Sequence, residues 1–330
     1  MELLRKIAFP ISLLYAAVVY VRNSCYDLGI FTTRRFETPT ICIGNLSVGG
    51  TGKTPMIEWI LEHLLAHRSL AVLSRGYKRK TKGFVLVQTE HTAEEVGDEP
   101  LQIARKFPDC TVAVDANRQR GIARIEEEIG PQLILLDDAF QHRKVTARMN
   151  ILLTTYQNPY TDDCYLPSGQ LRDSKKEARR AHFILVTKCP LDISESTRAQ
   201  IIGRIDPLPH QEVLFCGLAY DLQLRGTSEP IALQTLRGQK VMVVTGIANP
   251  KPLLQFLASQ GLITTHKQFP DHHFFTAKEL AQFNAEPMII TTEKDFARMG
   301  KAVPKACYLQ VKHLFLGDGK ERILKAIKAL

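Results

Sequence analysis

A glycine-rich loop directly after a short apolar run constrains the fold of this chain more than any other feature. The run is Thr40–Gly44, and residues 45–54 continue it as NLSVGGTGKT into a helical pattern that carries Trp59 and Leu64. A β-branched run that ends at glycine predicts a buried strand. Backbone N–H groups in such a loop, together with the positive end of the following helix, attract anions. The sequence therefore predicts a strand–loop–helix unit that binds phosphate groups.

The end of this loop matches the G-K-[ST] ending of a Walker A motif, although Ser47 stands where the first glycine is usual. We expect the amine of Lys53 to reach the β- and γ-phosphates of a nucleotide, and the hydroxyl of Thr54 to hold Mg²⁺. The residues that the motif assigns to nucleotide binding are Gly49, Gly50, Thr51, Gly52, Lys53 and Thr54.

Two aspartates follow another apolar run, at 133–136. A carboxylate at the end of a strand is the usual second half of an ATP site, where it binds Mg²⁺ directly or through water. We expect Asp137 and Asp138 to bind the metal together with Thr54, and Asp138 and Lys53 to take part in phosphoryl transfer. The pattern leaves open which aspartate binds the metal directly, and a helix-capping aspartate is the structural alternative.

Short apolar runs alternate with helical patterns along most of the chain. The runs lie at 70–73, 84–87, 111–114, 132–136, 151–153 and 183–186, with helical patterns at 99–106 and 118–128 among them. This alternation predicts an α/β fold of the P-loop NTPase type, with a mainly parallel sheet and helices on both faces. The alternation begins again with apolar runs at 213–217, 241–245 and 288–292, which predicts a second, smaller α/β domain.

The length of 330 residues is consistent with about two domains of roughly 150 residues each. We expect an N-terminal helix region at 1–35, a phosphate-loop domain at 36–212, a smaller α/β domain at 213–312 and a C-terminal helix at 313–330. The segment 206–212, which contains two prolines, is the expected crossing point between the two larger units.

Composition excludes several classes of protein. With 45% apolar and 23% charged residues, the chain is not disordered, collagen-like or a coiled coil. A mean hydropathy of −0.10 excludes a polytopic membrane protein. The formal net charge of +9 favours a phosphate-bearing partner, but charge alone does not choose among nucleotide, nucleic acid and anionic membrane. Seven scattered cysteines without a C-x-x-C pair indicate reduced thiols in a cytosolic compartment.

The N-terminal segment 7–21, IAFPISLLYAAVVYV, is apolar and is bracketed by basic residues. At 1.5 Å per residue it would span roughly 22 Å as a helix, which is short of the ~30 Å hydrocarbon core of a bilayer. One interpretation is a helix that packs on the core of the protein itself. The other is an uncleaved helix that dips into the inner face of a membrane while Arg5, Lys6, Arg22, Arg34 and Arg35 contact lipid phosphates.

An ordered set of motifs resembles those of the tetraacyldisaccharide 4′-kinase family, the lipid A kinases. The motifs are GNLSVGGTGKTP at 44–55, SRGYKRK at 74–80, GDEP at 97–100, DDAFQH at 137–142, LPSGQLRD at 166–173, VTGIANP at 244–250, FPDHHFF at 269–275 and TTEKDF at 291–296. They are collinear from the apolar N-terminal segment to about residue 300. Such an ordered set is far more specific than a single Walker A loop.

The resemblance implies an ATP-dependent, Mg²⁺-using lipid kinase at the cytoplasmic face of the inner membrane. Its acceptor would be the 4′-hydroxyl of an acylated glucosamine disaccharide 1-phosphate, and it would bind no nucleic acid. A kinase needs a group that accepts or orients the hydroxyl proton of the acceptor. The resemblance implies that Asp98 is this base and that a histidine of the DHH segment is its partner; we choose His272 over His273. The alternatives are that Asp98 caps a helix and that the DHH segment binds zinc.

Several other side chains are expected near the transferred phosphate or the phosphate of the lipid. Arginines just beyond predicted strands lie at the edge of a parallel sheet where ligands bind, and a guanidinium group pairs well with phosphate. The candidates are Arg75, Arg118 and Arg172, with Asn45, His142 and Asp173 added mainly on the resemblance. For any one arginine, a solvated surface charge is the alternative.

Two other functions compete with the kinase. A P-loop GTPase or ATPase that assembles metal sites often carries a lysine early in the loop, and Val48 occupies that region here. A basic scaffold for nucleic acid would bind with a salt dependence that follows its phosphate contacts, and it would not turn over ATP. The paired aspartates and the lack of aromatic residues among the basic ones argue against the scaffold.

Overall fold

The computed structural model describes residues 2–271, 273–299 and 302–330, and of residues 2–7 it describes the backbone only. Its α-helices are α1 Glu2–Asp27, α2 Lys53–Leu64, α3 Ala93–Val96, α4 Asp98–Lys106, α5 Arg118–Glu128, α6 Glu195–Ile205, α7 Lys251–Ser259, α8 Ala277–Asn284, α9 Glu293–Met299 and α10 Gly319–Lys328. Short 3₁₀ turns lie at Tyr160–Asp162, Lys175–Arg180 and Leu233–Leu236.

The strands are β1 Thr40–Asn45, β2 Leu70–Ser74, β3 Val85–Leu86, β4 Thr111–Val114, β5 Leu133–Asp137, β6 Met149–Thr155, β7 Phe183–Thr187, β8 Glu212–Arg225, β9 Ile231–Ala232, β10 Lys240–Thr245, β11 Ile263–Gln268, β12 Ile289–Thr292 and β13 Ala306–Phe315. They form one sheet in the order β11-β10-β12-β13-β8-β7-β6-β1-β5-β2-β4-β3, with β9 beside β8. Pairing is parallel except at β3–β4, β8–β13 and β8–β9. The predicted mainly parallel α/β sheet is confirmed.

Helices cover both faces of the phosphate-loop half of the sheet. On β1, Ile41 and Ile43 face one core, which α2, α4 and α10 complete, while Cys42 faces a second core that includes α5 and α6. Both cores are built from side chains that are almost fully buried, so each strand contributes to both faces of the sheet.

The long strand β8 joins the two halves of the sheet. Its first residues, from Glu212 to Phe215, pair in parallel with β7, and the stretch from Cys216 to Arg225 pairs antiparallel with β13. The segment 206–211 is the loop between α6 and β8, so the chain passes from one half to the other within a strand. The second half has its own two apolar clusters, around Val243 and around Phe283.

The helix α1 is docked along one side only. Ser12 donates a hydrogen bond to the carbonyl of Tyr165 at 3.0 Å, and Tyr15 donates one to the carbonyl of Arg172 at 3.0 Å. Further along, Asn23 donates to Asp173 Oδ1 at 2.7 Å. The other side is apolar and exposed: Ile11, Leu13, Leu14, Val18 and Val21 are each more than half exposed. Ala8–Asp27 is the one described helix long and apolar enough to cross a membrane.

Candidate active site

The phosphate loop runs from the end of β1 to the start of α2, as the sequence predicts. Gly49 and Gly52 have φ angles of 111° and 94°, a region that favours glycine. No atom of the described residues lies within 4 Å of the positions that a Cβ on Gly49 or Gly50 would occupy. The loop is therefore open at Gly49–Gly50, where its backbone can approach a phosphate closely.

Neighbouring segments hold this loop from behind. The hydroxyl of Ser47 donates to Asp163 at 2.9 Å, and the amide of Val48 donates to the carbonyl of Gln170 at 2.8 Å. On β7, the Thr187 hydroxyl donates to the carbonyl of Thr51 at 2.7 Å. Sequence analysis missed Thr187 because its partner is 136 residues away.

A histidine of the second half of the sheet, also missed, holds the last glycine of the loop. His313 on β13 is 5% exposed, and its Nε2 lies 2.8 Å from the carbonyl of Gly52. Burial lowers the pKa of His313 to about 4, so the ring is neutral at pH 7. The Gly52 carbonyl can only accept, so Nε2 carries the proton, and Nδ1 accepts from the thiol of Cys216 at 3.1 Å.

Four of the predicted residues meet beside the loop. Lys53 Nζ lies 3.2 Å from Asn45 Oδ1 and 3.6 Å from Asp138 Oδ1. The guanidinium of Arg172 binds both carboxylate oxygens of Asp138, with Nη1 at 2.9 Å from Oδ2, and it also binds Asn45 Oδ1. Burial raises the pKa of Asp138, but the hydrogen bond from Arg172 and the charge of Lys53 outweigh it and lower that pKa to about 2.

The other aspartate of the pair is the more deeply buried. Asp137 ends β5 and is 2% exposed, and its Oδ2 accepts a hydrogen bond from Ser74 at 2.8 Å. Its Oδ1 has no hydrogen-bond partner among the described residues. Burial, followed by the negative charges of Glu99 and Asp138, raises the pKa of Asp137 to about 7. Thr54, at the start of α2, is 4% exposed.

The remaining candidates for phosphate contacts occupy different environments. Arg118, the first residue of α5, is 2% exposed and donates to the carbonyls of Asp115 and Asp137 at 2.8 and 3.1 Å. Arg75 follows β2 and is exposed. His142 is half-buried, and burial together with the charge of Arg118 lowers its pKa to about 4.

Asp173 lies against the N-terminal helix. It is fully buried, and its Oδ1 accepts from Asn23 of α1 at 2.7 Å and from the Ser174 amide at 2.8 Å. The neighbouring Arg172 therefore faces the phosphate loop while Asp173 binds α1. The last two residues of the LPSGQLRD motif thus connect the loop to the exposed apolar helix.

Asp98, the predicted base, is the first residue of α4 and is 8% exposed. Arg298 of α9 donates to its Oδ2 from Nε at 2.9 Å and from Nη2 at 2.5 Å. The predicted partner His272 lies outside the described residues. Its neighbour His273 is paired with Glu279 at 3.0 Å and stacks on Phe269. A second acid of the same motif, Glu99, pairs with Lys294 of α9.

Comparison with known proteins identifies the family. The family model described as tetraacyldisaccharide-1-P 4′-kinase matches residues 4–328. The tetraacyldisaccharide 4′-kinase of Flavobacterium johnsoniae is 44% identical over 322 residues, covering 96% of this chain and 94% of its own. That of Flavobacterium psychrophilum is 41% identical over 329 residues, covering 97% and 95%.

A solved structure shows the same fold over the same length. The crystal structure of the "apo" form of LpxK from Aquifex aeolicus in complex with ATP superposes with a TM-score of 0.79 at 29% identity. The match covers 98% of each chain. With a family model that spans almost every residue and close relatives matched end to end, this chain belongs to the tetraacyldisaccharide-1-P 4′-kinase family.

Proposed function

We propose that this protein transfers the γ-phosphoryl group of ATP to the 4′-hydroxyl of a tetraacylated glucosamine disaccharide 1-phosphate, a step of lipid A biosynthesis. The observation that carries the proposal is the open phosphate loop with Lys53, Asp138 and Arg172 clustered beside it, in a chain that belongs to this kinase family. The metal-site GTPase or ATPase is not favoured, because the family match covers residues 4–328.

The chemistry demands positioning and charge neutralisation more than covalent catalysis. The acceptor oxygen forms a bond to the γ-phosphorus while the bond to the β–γ bridging oxygen breaks, and ADP leaves. Lys53 and Arg172 both lie beside Asp138, so two cations are available to stabilise the charge that develops on the phosphoryl oxygens. Asn45 fixes the Lys53 amine through its side-chain oxygen at 3.2 Å.

The residues beside the loop fit Mg²⁺. Thr54, Asp137 and Asp138 supply the hard oxygen donors that this ion prefers, and Asp137 Oδ1 is buried without a partner among the described residues. When held by these residues, Mg²⁺ would neutralise part of the negative charge of the ATP phosphates. The raised pKa of Asp137 means that its carboxyl must lose a proton before it can act as a ligand.

We infer that Asp98 accepts the proton of the acceptor hydroxyl; His272, its expected partner from the sequence, lies outside the described residues. In support, Asp98 is buried at the start of α4, in the half that carries the phosphate loop, and one residue before Glu99, whose charge acts on Asp137. Arg75, Arg118, His142 and Asp173 remain candidates for binding or shaping the site of the phosphates. Of these, Arg75 is exposed, whereas Arg118 and Asp173 bind the protein itself.

We infer that α1 places the enzyme on the cytoplasmic face of the inner membrane. The acceptor carries four acyl chains and stays in the bilayer, whereas ATP comes from the cytosol. In support, Leu14, Val18 and Val21 are more than 60% exposed, while the opposite side of the helix is bound to the 165–173 segment, which contains Arg172. An apolar face of this kind fits a lipid surface better than water.

We also propose the domain boundaries given above, with α1 inside the 1–35 region and α10 inside 313–330. The apolar cluster around Val243 lies wholly within 213–312 and supports the smaller unit, whereas Leu214 and Cys216 of β8 and Ile323 of α10 pack into the core of the phosphate-loop half.

The test is ATP turnover by the purified full chain, with and without the disaccharide acceptor in mixed micelles. The proposal expects ADP release to depend on the acceptor and the product to carry a new phosphate. Asp98→Asn should lower kcat by at least ~10²-fold, as loss of a general base does, while calorimetry shows nearly unchanged ATP affinity. Asp162→Asn, an exposed carboxylate paired with Arg204, is the control. Acceptor-independent ATP hydrolysis would refute the kinase, and a collapse of ATP binding in Asp98→Asn would refute the base.

A further inference from the structure

Three sequence motifs meet in one buried polar cluster behind Asp98. The cluster joins Asp98 of the GDEP motif, Gly246 of VTGIANP, and Thr292 and Asp295 of TTEKDF, with Arg298 at its centre. The sequence alone suggested no role for the TTEKDF segment. In the structure this segment opens α9, which packs on α4.

Arg298 is bound on every side. Its side chain is fully buried, and Nη1 donates to Asp295 Oδ1 at 2.8 Å and to the carbonyl of Gly246 at 3.1 Å. Nε and Nη2 both donate to Asp98 Oδ2. A planar guanidinium bound at both ends has one orientation, so it fixes the position of Asp98 Oδ2, the oxygen to which both Nε and Nη2 donate.

Asp295 holds the arginine in place. It is fully buried, and its second oxygen accepts from the Gly246 amide at 2.9 Å and from the Thr292 hydroxyl at 2.7 Å. Two buried carboxylates therefore face one buried guanidinium. Joining two helices through such a cluster carries a large desolvation penalty, because each charge loses its hydration. A role of the cluster in the chemistry of Asp98 would account for this desolvation penalty.

We propose that Arg298, anchored by Asp295, is a positioning residue that fixes and keeps ionised the carboxylate of Asp98 for proton acceptance. This inference rests on the proposed role of Asp98 as the base. Arg298 acts through Asp98, from the half of the sheet opposite to the one that carries the phosphate loop. The base is thus in its working orientation only when α9 is packed against α4.

The experiment compares Arg298→Met and Arg298→Lys with the wild-type full chain, using the disaccharide acceptor. Misorientation of the base should lower kcat at least ~10-fold in Arg298→Met, with the KM for ATP within about twofold, because Arg298 does not touch the loop. Loss of the positive charge favours the protonated form of Asp98. The acidic limb of the kcat profile should therefore move to higher pH in Arg298→Met and stay in place in Arg298→Lys.

Added guanidinium at millimolar concentration provides a second readout. It should restore part of the activity of Arg298→Met and return the acidic limb toward the wild-type position, which a purely structural role would not produce. Glu293→Gln is the matched control, because Glu293 forms another contact between the same helices, with Lys106 at 3.3 Å, without touching Asp98. It should leave the pH profile unchanged.

The inference is overturned if folded Arg298→Met keeps the wild-type pH profile, or if its loss of kcat is insensitive to guanidinium. Should Arg298→Met fail to fold, Asp295→Asn preserves the shape of the anchor, and the same pH profile decides. A wrong assignment of Asp98 as the base can be told apart from a wrong role for Arg298, because an active Asp98→Asn would refute the role of Asp98 directly. An inactive Asp98→Asn beside a wild-type-like Arg298→Met would refute this inference alone.

Discussion

The contact between Gly52 and His313 can be tested by adding a single methyl group. A Cβ on Gly52 would lie 2.9 Å from Cε1 and 3.0 Å from Nε2 of the His313 ring. The ring cannot swing away cheaply, since it is 5% exposed and bonded at both nitrogens. Gly52→Ala should therefore lower the free energy of unfolding for two reasons: its backbone conformation is unfavourable for alanine, and its methyl group displaces the ring.

Each cost can be estimated from the structure. A non-glycine residue at φ 94° costs about 1–3 kcal/mol. Displacing the ring breaks its hydrogen bond to Gly52, worth about 0.5–1.5 kcal/mol, although the Gly52 carbonyl keeps a second donor, the Met56 amide at 3.1 Å. Gly49→Ala is the matched control, because Gly49 has φ 111° and, in the part of the chain that the structure describes, no atom lies within 4 Å of the added methyl group. Only the unfavourable backbone conformation should lower the free energy of unfolding of Gly49→Ala.

The assay is urea unfolding of the ATP-free protein, which avoids any effect of the methyl groups on phosphate binding. Gly52→Ala should lose about 1 kcal/mol more unfolding free energy than Gly49→Ala, because only the former breaks the hydrogen bond. In a His313→Ala background the two substitutions should cost the same, since the ring is gone. Equal costs in the wild-type background, or an unchanged difference without His313, would refute the reasoning.

Three further predictions concern the loop, the paired acids and the membrane face. Lys53→Ala should lower turnover at least ~10²-fold by removing charge stabilisation, whereas Lys80→Ala, an exposed lysine, should not; equal effects would contradict the assigned loop. The pKa of Asp137 is raised from 3.8 to about 7, so between these pH values the folded protein keeps a proton that the unfolded chain releases. The free energy of unfolding should therefore fall as pH rises from about 4 to about 7. Asp137→Asn should therefore gain unfolding free energy relative to wild type between pH 5 and pH 8, in urea titrations without nucleotide; a difference that does not change with pH would contradict this. Replacing exposed Leu14 and Val18 by Ser should weaken binding to anionic vesicles without lowering the melting temperature, and unchanged sedimentation with vesicles would count against the membrane face.

The parallel half of the sheet was predictable because its strands are buried on both faces. A fully buried strand is a short continuous apolar run, as in β1, β5 and β7, and such runs are visible without any partner. In the second half, β11 alternates exposed and half-buried residues, and β13 contains Gln310, Lys312 and His313. Patterns of that kind are too polar to stand out from loops, so these two strands were missed.

The residues proposed to bind ATP and Mg²⁺ at the phosphate loop were predictable for a different reason. Lys53 and Thr54 are local to the loop, and Asp137 is identified by the end of its strand, because the carboxyl edge of a parallel sheet collects such side chains. The side chains that hold the site in shape carry no local signal. His313 is 261 residues from Gly52, and Arg298 is 200 residues from Asp98. Their pairing depends on β13 lying beside β8 and on α9 packing against α4, which are properties of the assembled sheet. A polar side chain in a strand, or an arginine at the end of a helix, is as compatible with solvent as with burial. The positioning residues of such a site therefore become visible only when the topology is known, whereas the groups proposed to contact ATP can be predicted from the sequence.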